Sequence, residues 1–432
     1  GRPLVDSDMN KARRLFTHLQ LTYVDLHVYL YVTFYVYYTY VFTRKEGVMT
    51  LRPIIPQPGS DRDPMNFVGR VEITSQAREL LKNGTNLLLT DPRRMGKTFW
   101  MHNFAAQEAD FHCYFIDYEG VFTVRDFLFK TAEALIKERK LPERALNKLK
   151  TIFDNCDLEI SGGPMKLKAY LQQTSPYILL TNVLASLDDD EDDAIPVVMM
   201  DEVPMAINNI ADREGASAAE EVLQTLRALR QKTTRVRWII TGSVGFHHTL
   251  RKTNMTQGVL NDLESLRFGP LSECEANELA HRLLLGVGQD PNEAIVDELI
   301  SKTGGIPFLL HKVIGTLARQ QYGVFKPSDI EECFEDFIDD PDEFRWFEHY
   351  LTRITPLYGT NEKIANQILR QTLSMTNEWV PVDSLPQDDI ALEVLEDLIK
   401  DHYLARRGST VRWRYPALQY IWARKMRVWD RR

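Results

Sequence analysis

The sequence predicts a three-layer α/β domain, followed by an all-helical segment and a small C-terminal domain of helices and a hairpin. Three observations predict it. Short apolar runs alternate with longer amphipathic segments between residues 65 and 265, which is the pattern of a parallel sheet covered by helices on both faces. A Gly-Lys-Thr triplet follows the first of these runs, and an Asp-Glu pair follows a later one.

Composition limits the classes of protein to which the chain can belong. With 432 residues, 44% of them hydrophobic and 26% charged, the chain has the make-up of a soluble protein with two or three domains. The net charge of -9 argues against a protein that coats nucleic acid through bulk charge, although a local basic face stays possible. The four cysteines are scattered without C-x-x-C spacing, so we predict no cysteine zinc site, no disulfide framework and a cytoplasmic location.

The first 48 residues differ from the rest of the chain. Residues 21–42 have basic pairs on both sides, and their length fits a membrane span or a signal anchor. Their seven tyrosines, with Asp25 and His27, fit a membrane span less well. Alternating valine and tyrosine over 29–40 has strand-like character. Three interpretations stay open: a spurious or unstructured extension, a membrane anchor, or a strand that binds a partner.

Residues 49–66 form a proline-rich lead-in, and the α/β core is predicted over 67–268. Its centre is a buried strand at 87–89, a tight loop, and a helix that opens at Gly96-Lys97-Thr98. This is the layout of a phosphate-binding loop. Gly96 would let the backbone approach phosphates, and the helix N-terminus would present amides to them. Lys97 would reach the β- and γ-phosphates, and the Thr98 hydroxyl would ligate Mg²⁺.

The loop departs from the usual pattern G-x-x-x-x-G-K-[ST] at one position. Asp91 stands where the first glycine belongs. An ordinary lysine at a helix start would also produce a bare Gly-Lys-Thr triplet. The strand–loop–helix context and a second motif therefore have to support the interpretation.

That second motif is an Asp-Glu pair directly after the apolar run 197–200. Ligands of open α/β sheets bind at the carboxyl ends of the strands. Asp201 would hold Mg²⁺, and Glu202 would polarise the water that attacks the γ-phosphate. The alternative for the pair alone is a solvated loop.

The rest of the core supplies one more candidate. A strand at 236–241 ends in Gly242-Ser243, and Ser243 at this strand end would touch the γ-phosphate or the attacking water. An ordinary strand-end turn is the alternative. The acidic run 188–193 is predicted to be a solvated loop and not a metal site.

The C-terminal third is predicted to be helical over 269–340 and to form a winged helix over 345–432. Helices are expected near 362–373, 382–385 and 390–401, with a hairpin over 403–415 that turns at Gly408. Ten Lys/Arg against two Asp give residues 400–432 a local charge of +8, which invites a duplex-DNA interpretation. The candidate DNA contacts are Arg406, Arg407, Arg412 and Arg414. The candidate recognition helix at 391–398 is acidic, which favours intramolecular or protein packing instead.

From residue 67 to the C-terminus these motifs resemble the archaeal-type P-loop ATPases of the STAND/AAA+ superclass. The matching pieces are Phe67-Val68-Gly69-Arg70, Pro92-Arg93-Arg94-Met95-Gly96-Lys97-Thr98, Asp201-Glu202, Thr241-Gly242-Ser243, Gly304-Gly305-Ile306-Pro307 and the winged helix. In this group Pro-Arg-Arg-x-Gly-Lys-Thr is a specific signature, and a residue other than glycine is tolerated at the first loop position. Residues 1–48 match nothing in the group.

The resemblance implies a nucleotide-binding core, a helical lid and a winged helix that switch between ADP and ATP states and often oligomerise. It implies Glu202, Lys97 and Ser243 as catalytic residues, Ser243 in the sensor-1 place, and Thr98 and Asp201 as Mg²⁺ ligands. The nucleotide contacts it implies are Val68, Gly69, Arg70, Asp91, Pro92, Arg93, Arg94, Met95, Gly96, Lys97, Thr98, Phe99 and Pro307. No position clearly matches an arginine finger, although Arg251 is a candidate.

Two function classes follow. The first is an ATP-binding switch with slow hydrolysis, gated by a protein partner or by self-assembly. The second is an ATP-dependent DNA-binding protein resembling replication-initiator ATPases. A membrane-tethered ATPase is a third possibility that depends on residues 21–42 alone.

Overall fold

The computed structural model describes residues 51–137, 175–189, 193–242, 245–253, 255–320, 323–340, 342, 344, 354–374 and 378–426. The chain divides into Gly1–Pro53 and a compact unit, Ile54–Arg432, which carries the elements below. The tyrosine-rich segment 21–42 lies outside the described residues. Across the described ranges, no helix combines the length and the apolar character that crossing a bilayer requires.

A parallel five-stranded sheet organises the first half of the unit. Its strands are β1 (Asn86–Leu89), β2 (Phe111–Asp117), β3 (Ile195–Asp201), β4 (Arg237–Thr241) and β5 (Leu263–Ser265), in the order β2-β3-β4-β1-β5. The central strands are almost continuously apolar, as expected for strands that are buried on both faces. Because all five strands are parallel, the carboxyl ends of β1, β3 and β4 meet at one edge.

Helices cover both faces of the sheet. They are α1 (Val71–Lys82), α2 (Lys97–Gln107), α3 (Val124–Lys137), α4 (Pro176–Asp188), α5 (Val203–Glu214), α6 (Ala216–Lys232) and α7 (Phe246–Lys252). Successive strand residues point to opposite faces, so Met199 lies in one hydrophobic core and Met200 in the other. The three-layer α/β prediction is confirmed.

The sequence analysis missed three of these elements, helices α5 and α7 and strand β5. Helix α5 begins immediately after Glu202 with Pro204 in its first turn, a position where proline favours a helix start. Strand β5 has only three residues, two of them exposed, so it carries no apolar run that a pattern search would find.

The next segment is all-helical, as expected. It contains α8 (Glu273–Gly286), α9 (Glu293–Thr303), α10 (Pro307–Arg319) and α11 (Pro327–Asp339), which share one hydrophobic core with the α2 face of the sheet. The proline-rich lead-in lies against α8, where the amide of Ile54 donates to the carbonyl of Arg282 at 2.8 Å. Any side chain at Gly286 would collide with the Ile54 carbonyl, which explains a glycine at this helix end.

The C-terminal segment contains helices and a small antiparallel sheet. Its elements are α12 (Ile354–Tyr358), α13 (Glu362–Gln371), β6 (Val380–Pro381), α14 (Asp389–Lys400), β7 (Leu404–Arg407), β8 (Thr410–Trp413) and α15 (Pro416–Lys425), and the strand order is β6-β8-β7. The helix expected over 382–385 is a single 3₁₀ turn, Val382–Ser384. Helix α15 contacts α11, because Arg424 pairs with Glu335 at 2.8 Å and with Asp339 at 3.0 Å.

Candidate functional site

The loop between β1 and α2 ends at a helix N-terminus with a phosphate-binding geometry. Gly96 is the residue before α2, and its φ of 92° lies in the left-handed region that favours glycine. No side chain caps this end of the helix. The amides of the first helical turn therefore face the loop without a side-chain acceptor, which is the arrangement that binds anions.

Lys97 places its positive charge inside the loop. The side chain is buried, and Nζ donates to the carbonyl oxygens of Asp91 and, at 2.9 Å, of Pro92. The loop is thus wrapped around an ammonium group. That is where a lysine has to be if it is to neutralise phosphate oxygens held by the same loop.

Asp201 joins the loop helix to the strand ends. Its Oδ2 accepts a hydrogen bond from Thr98 at 2.6 Å, and its Oδ1 accepts one from Thr241. Burial raises the pKa of Asp201 and the charge of Glu202 adds to this, while the two hydroxyl donors oppose it. A hydroxyl beside a carboxylate offers the oxygen donors that Mg²⁺ prefers, so Thr98 and Asp201 fit the expected magnesium site. The contact between Thr241 and Asp201 was not predicted. Thr241 is the last residue of β4, and this position at the carboxyl edge of the sheet could have indicated it.

Glu202 occupies a strained turn directly after β3. Its φ of 58° and ψ of 34° are left-handed, a conformation that is unfavourable for a residue other than glycine. Its carboxylate lies 3.5 Å from Nε of Arg93, in the loop. The structure therefore brings the expected catalytic carboxylate and a loop arginine together.

Arg70 fastens the loop to the chain that follows β5. Its guanidinium donates four hydrogen bonds to backbone carbonyls: Met95 at 2.9 Å, Phe268 at 2.7 Å, Gly269 at 2.8 Å and Pro270 at 3.0 Å. Burial lowers the pKa of Arg70 to about 10, with nearby carboxylates opposing the shift. The side chain serves as a brace for the loop, and the expected proximity of this residue to the adenine and ribose stays a prediction.

Asp91 has structural partners that explain why it replaces a glycine. Its Oδ2 accepts from the amide of Phe268 at 2.8 Å, and its Oδ1 accepts from the Tyr415 hydroxyl at 3.2 Å. Nδ1 of His402 lies 3.9 Å from the same Oδ1. Burial by itself would raise the pKa of Asp91, but His402, the Phe268 amide and Lys97 outweigh it and lower the pKa.

Backbone strain marks the same region. Among the described residues, the non-glycine positions with positive φ are Arg70, Arg94, Glu202 and His402. The first three belong to the predicted site, and His402 lies beside Asp91. Strained residues cluster at functional sites because the surrounding structure has to hold them there. Sequence analysis missed His402 and Tyr415, which lie hundreds of positions from the loop and have no local motif.

The remaining predicted residues are placed as follows. Val68 is buried, and Gly69 (φ 73°) lies against the side chain of Glu275. The rings of Phe99 and Phe67 meet edge to face at 5.2 Å. Pro307 opens α10, and the ring of the next residue, Phe308, lies 4.6 Å from the Arg94 guanidinium. Ser243 lies outside the described residues.

Arg251, the candidate arginine finger, is engaged elsewhere. Its guanidinium pairs with Asp397 at 2.7 Å and with Glu393 at 3.3 Å, both on α14. The side chain thus ties α7 to the C-terminal segment, and its role as an arginine finger stays a prediction.

The sheet order, the loop before α2 and the paired carboxylates after β3 are together the features of a P-loop NTPase fold. The chain is similar to the Walker-type ATPase of Pyrococcus abyssi, with 18% identity, a TM-score of 0.53, and coverage of 86% of this chain and 98% of that one. It also aligns with the ORC2 protein of Aeropyrum pernix (13% identity, TM-score 0.45, coverage of 87% and 96%). A third alignment is with the RuvB Holliday junction branch migration motor of Thermotoga maritima, with 13% identity, a TM-score of 0.39, and coverage of 84% of this chain and 98% of that one.

At 18% identity, the similarity to the Pyrococcus abyssi structure establishes the fold alone. The resemblance drawn from the motifs is confirmed at that level. No family model matches the sequence, and no curated protein matches it.

Proposed function

We propose that this chain is a Mg²⁺-dependent ATPase that works as a nucleotide-gated switch. Its hydrolysis is slow until a protein partner or a second copy of the chain engages it. The observation that carries the proposal is the hydrogen bond from Tyr415 to Asp91. Through it, the loop that would hold the phosphates is in direct contact with the C-terminal segment.

Nucleotide binding uses the loop and the start of α2. The first-turn amides after Gly96 receive phosphate oxygens, and Lys97 leaves the loop carbonyls to neutralise the β- and γ-phosphates. Thr98 and Asp201 would hold Mg²⁺, which would supply charge neutralisation for the phosphates. Arg70 keeps the loop in place through its bond to the Met95 carbonyl.

Hydrolysis is an in-line attack of water on the γ-phosphate, with Glu202 orienting the water. The Glu202 carboxylate lies in ion-pair range of Arg93. Turnover therefore requires that this pair loosen, so that the carboxylate reaches the water. A partner or a neighbouring copy that draws Arg93 away, or that contributes a further arginine, accelerates the reaction.

The switch follows from the position of Asp91. Its carboxylate accepts bonds from Phe268, at the end of the sheet, and from Tyr415, at the start of α15. A γ-phosphate that pulls Lys97 out of the loop moves the Asp91 backbone, because the Asp91 carbonyl accepts a bond from Lys97. The change is passed to Tyr415 and the C-terminal segment.

The test is ATP and ADP affinity, with steady-state hydrolysis, on the full chain and two lysine variants. Lys97→Ala is expected to abolish nucleotide binding and turnover. Lys82→Ala, at the exposed end of α1 where the lysine pairs with Asp110, is expected to leave both unchanged. Wild-type affinity in Lys97→Ala would remove the basis of the proposal.

A DNA-binding function is the second candidate, and one observation keeps it open. Arg406 and Arg407 are exposed on the β7–β8 hairpin. Arg412 lies over the Trp379 ring at 4.6 Å, and Arg414 is partly buried, so these two are less available. If the hairpin contacts phosphates, the Arg406→Ala, Arg407→Ala double variant lowers the salt slope of duplex binding by about 2. An unchanged salt dependence of duplex binding would mean that the hairpin serves intramolecular or protein packing instead.

A further inference from the structure

Four side chains with metal-binding chemistry meet between α7 and α14, and none of them is a predicted nucleotide contact. We call them the histidine–aspartate cluster: His247 and His248 on α7, Asp397 on α14, and Asp401 just after it. Nε2 of His248 lies 2.6 Å from Asp401 Oδ2. Nε2 of His247 lies 3.5 Å from Asp401 Oδ1 and 3.7 Å from Asp397 Oδ1.

The cluster is buried and rich in negative charge. The side chains of His247 and His248 are 8% and 6% exposed, and those of Asp397 and Asp401 are 3% and 5% exposed. Arg251 pairs with Asp397. For Asp401, the groups within ion-pair range among the described residues are the two imidazoles. A buried carboxylate without a permanent cation beside it is costly, so a cation belongs there.

Two independent observations point to a ligand between these side chains. Nε2 of His247 is buried and has no hydrogen-bond partner within the described part of the chain, although it faces both carboxylates. The neighbouring Gly245 has an ordinary φ of -63°. A Cβ there would lie 2.8 Å from Asp401 Oδ1 and would collide with the His247 ring, so the glycine keeps the space clear.

We propose that the histidine–aspartate cluster binds one divalent transition-metal ion, with Zn²⁺ as the best fit. The ligands are Nε2 of His247, Nε2 of His248, a carboxylate oxygen of Asp401 and, as the fourth, Oδ1 of Asp397. Two imidazoles and two carboxylates suit a tetrahedral zinc ion, whereas Mg²⁺ and Ca²⁺ require shells dominated by oxygen.

Three of the four ligands need little adjustment to take the ion, whereas Asp397, which lies 3.7 Å from His247, has to move closer to the other two. The ligand atoms of His247, His248 and Asp401 all lie within 4.8 Å of one another. Donors around a tetrahedral zinc ion are about 3.3 Å apart, given zinc–nitrogen bonds of about 2.0 Å. The two His247 distances are already close to that value, and the His248–Asp401 pair has to open by less than about 1 Å.

The outer partners of the carboxylates fit the same interpretation. Tyr358 donates to Asp401 Oδ2 at 2.7 Å, and Arg251 donates to Asp397 Oδ2 at 2.7 Å. Each bond orients a carboxylate and leaves Oδ1 turned toward His247, as second-shell donors do at metal sites. The ion would link α7 of the α/β core to α14 of the C-terminal segment. This inference does not depend on nucleotide hydrolysis.

The experiment measures metal binding by the full chain, first stripped with a chelator, in excess Mg²⁺ and without nucleotide. Zn²⁺ affinity is measured by competition with a chromophoric chelator, and Co²⁺ reports tetrahedral geometry through its visible absorption. We expect one high-affinity Zn²⁺ per chain. His247→Gln and His248→Gln are each expected to weaken it by more than about 100-fold, beyond the loss that a second-shell change causes.

The control is His281→Gln, because His281 bonds through Nδ1 to the Asn277 carbonyl of its own helix. Its Zn²⁺ affinity should equal that of wild type. Gly245→Ala keeps every ligand but fills the space between them, so it should also lose the ion. Circular dichroism confirms that each variant is folded.

Two outcomes overturn the proposal. One is a wild-type chain that binds no Zn²⁺ under these conditions. The other is a His247→Gln, His248→Gln double variant that binds Zn²⁺ as tightly as wild type does, since the ion then sits elsewhere. Failure of the Lys97→Ala test leaves these results unaffected, because no nucleotide is present.

Discussion

The hydroxyl of Tyr415 donates a hydrogen bond to the carboxylate of Asp91, with 3.2 Å between the oxygens and 324 positions between the residues in sequence. Asp91 is the first residue of the phosphate loop, and Tyr415 immediately precedes α15. The bond therefore connects the proposed nucleotide site to the last helix of the C-terminal segment. Its loss should alter how tightly the loop holds a nucleotide.

We expect Tyr415→Phe to accelerate ADP release by about 2- to 10-fold. The change removes one hydroxyl and no ring contact, and a hydrogen bond of this kind contributes about 0.5–1.5 kcal/mol. The measurement is the dissociation rate of a fluorescent ADP analogue in stopped flow. Tyr177→Phe on α4, where the tyrosine is exposed, is the matched control. Equal rates in the two variants would contradict the coupling.

Asp91→Gly restores the usual first glycine of the loop, yet we expect it to lower the free energy of unfolding by about 1–3 kcal/mol. The buried amide of Phe268 loses its acceptor, and an unsatisfied buried donor costs that much. Urea denaturation measures the difference. Asp290→Gly, at an exposed position between α8 and α9, is the control. A variant as stable as wild type would show that the carboxylate is dispensable.

Asp91 also predicts a pH dependence. Its pKa in the folded protein is lowered from the ordinary 3.8. A lowered carboxyl pKa contributes stability that is complete above the unfolded-state value and is lost as the pH falls through the folded-state value. The stability advantage of wild type over Asp91→Asn should therefore hold above about pH 5 and disappear in stronger acid. Thermal unfolding of both proteins across this range measures it.

Asp201 is expected to give a pH dependence of stability opposite to that of Asp91, so it serves as an internal control. Its pKa is raised, with burial as the largest cause. Its contribution is complete below the unfolded-state pKa and is lost as the pH rises through the folded-state value. Asp201→Asn should accordingly gain stability relative to wild type at neutral pH, where Asp91→Asn loses it. Identical pH profiles for the two variants would contradict both assignments.

Sequence alone predicted the parts of the site that follow from local pattern. Strand β4 (Arg237–Thr241) lies within the predicted run 236–241, because an apolar run that ends in Gly242-Ser243 is a local pattern. Thr98 and Asp201 were expected to meet because parallel strands align their carboxyl ends, and the hydroxyl and carboxylate lie 2.6 Å apart.

The contacts that sequence could not supply are those between distant segments. His402 and Tyr415 reach Asp91 only because the C-terminal segment packs beside the loop. A tyrosine at the start of a helix has no local feature that distinguishes it from any buried tyrosine. The bracing contacts of Arg70 were not predicted for a similar reason, because its four acceptors are backbone carbonyls, and every residue in a sequence has one.

We expect Glu202→Gln to keep ATP affinity and to reduce turnover by about 100-fold or more, the contribution of a positioned general base. The side chains have the same shape, so the left-handed turn and the start of α5 should survive. Single-turnover hydrolysis with saturating Mg²⁺-ATP measures the chemical step. Glu119→Gln, at an exposed turn after β2, should hydrolyse ATP normally. Normal hydrolysis by Glu202→Gln would mean that a residue other than Glu202 orients the attacking water.

Arg70→Lys preserves the charge but not the planar fork that reaches four carbonyls, two of them 2.7 and 2.8 Å away. One ammonium cannot satisfy acceptors on both sides of the loop, so we expect a loss of at least about 2 kcal/mol in unfolding free energy. Arg213→Lys, at an exposed position of α5, should cost nothing measurable in urea denaturation. If Arg70 instead contacts the ribose as first expected, Arg70→Lys would lower ATP affinity and leave the stability of the nucleotide-free chain unchanged. Measuring both the unfolding free energy and the ATP affinity of Arg70→Lys therefore distinguishes an arginine that braces the loop from one that contacts the nucleotide.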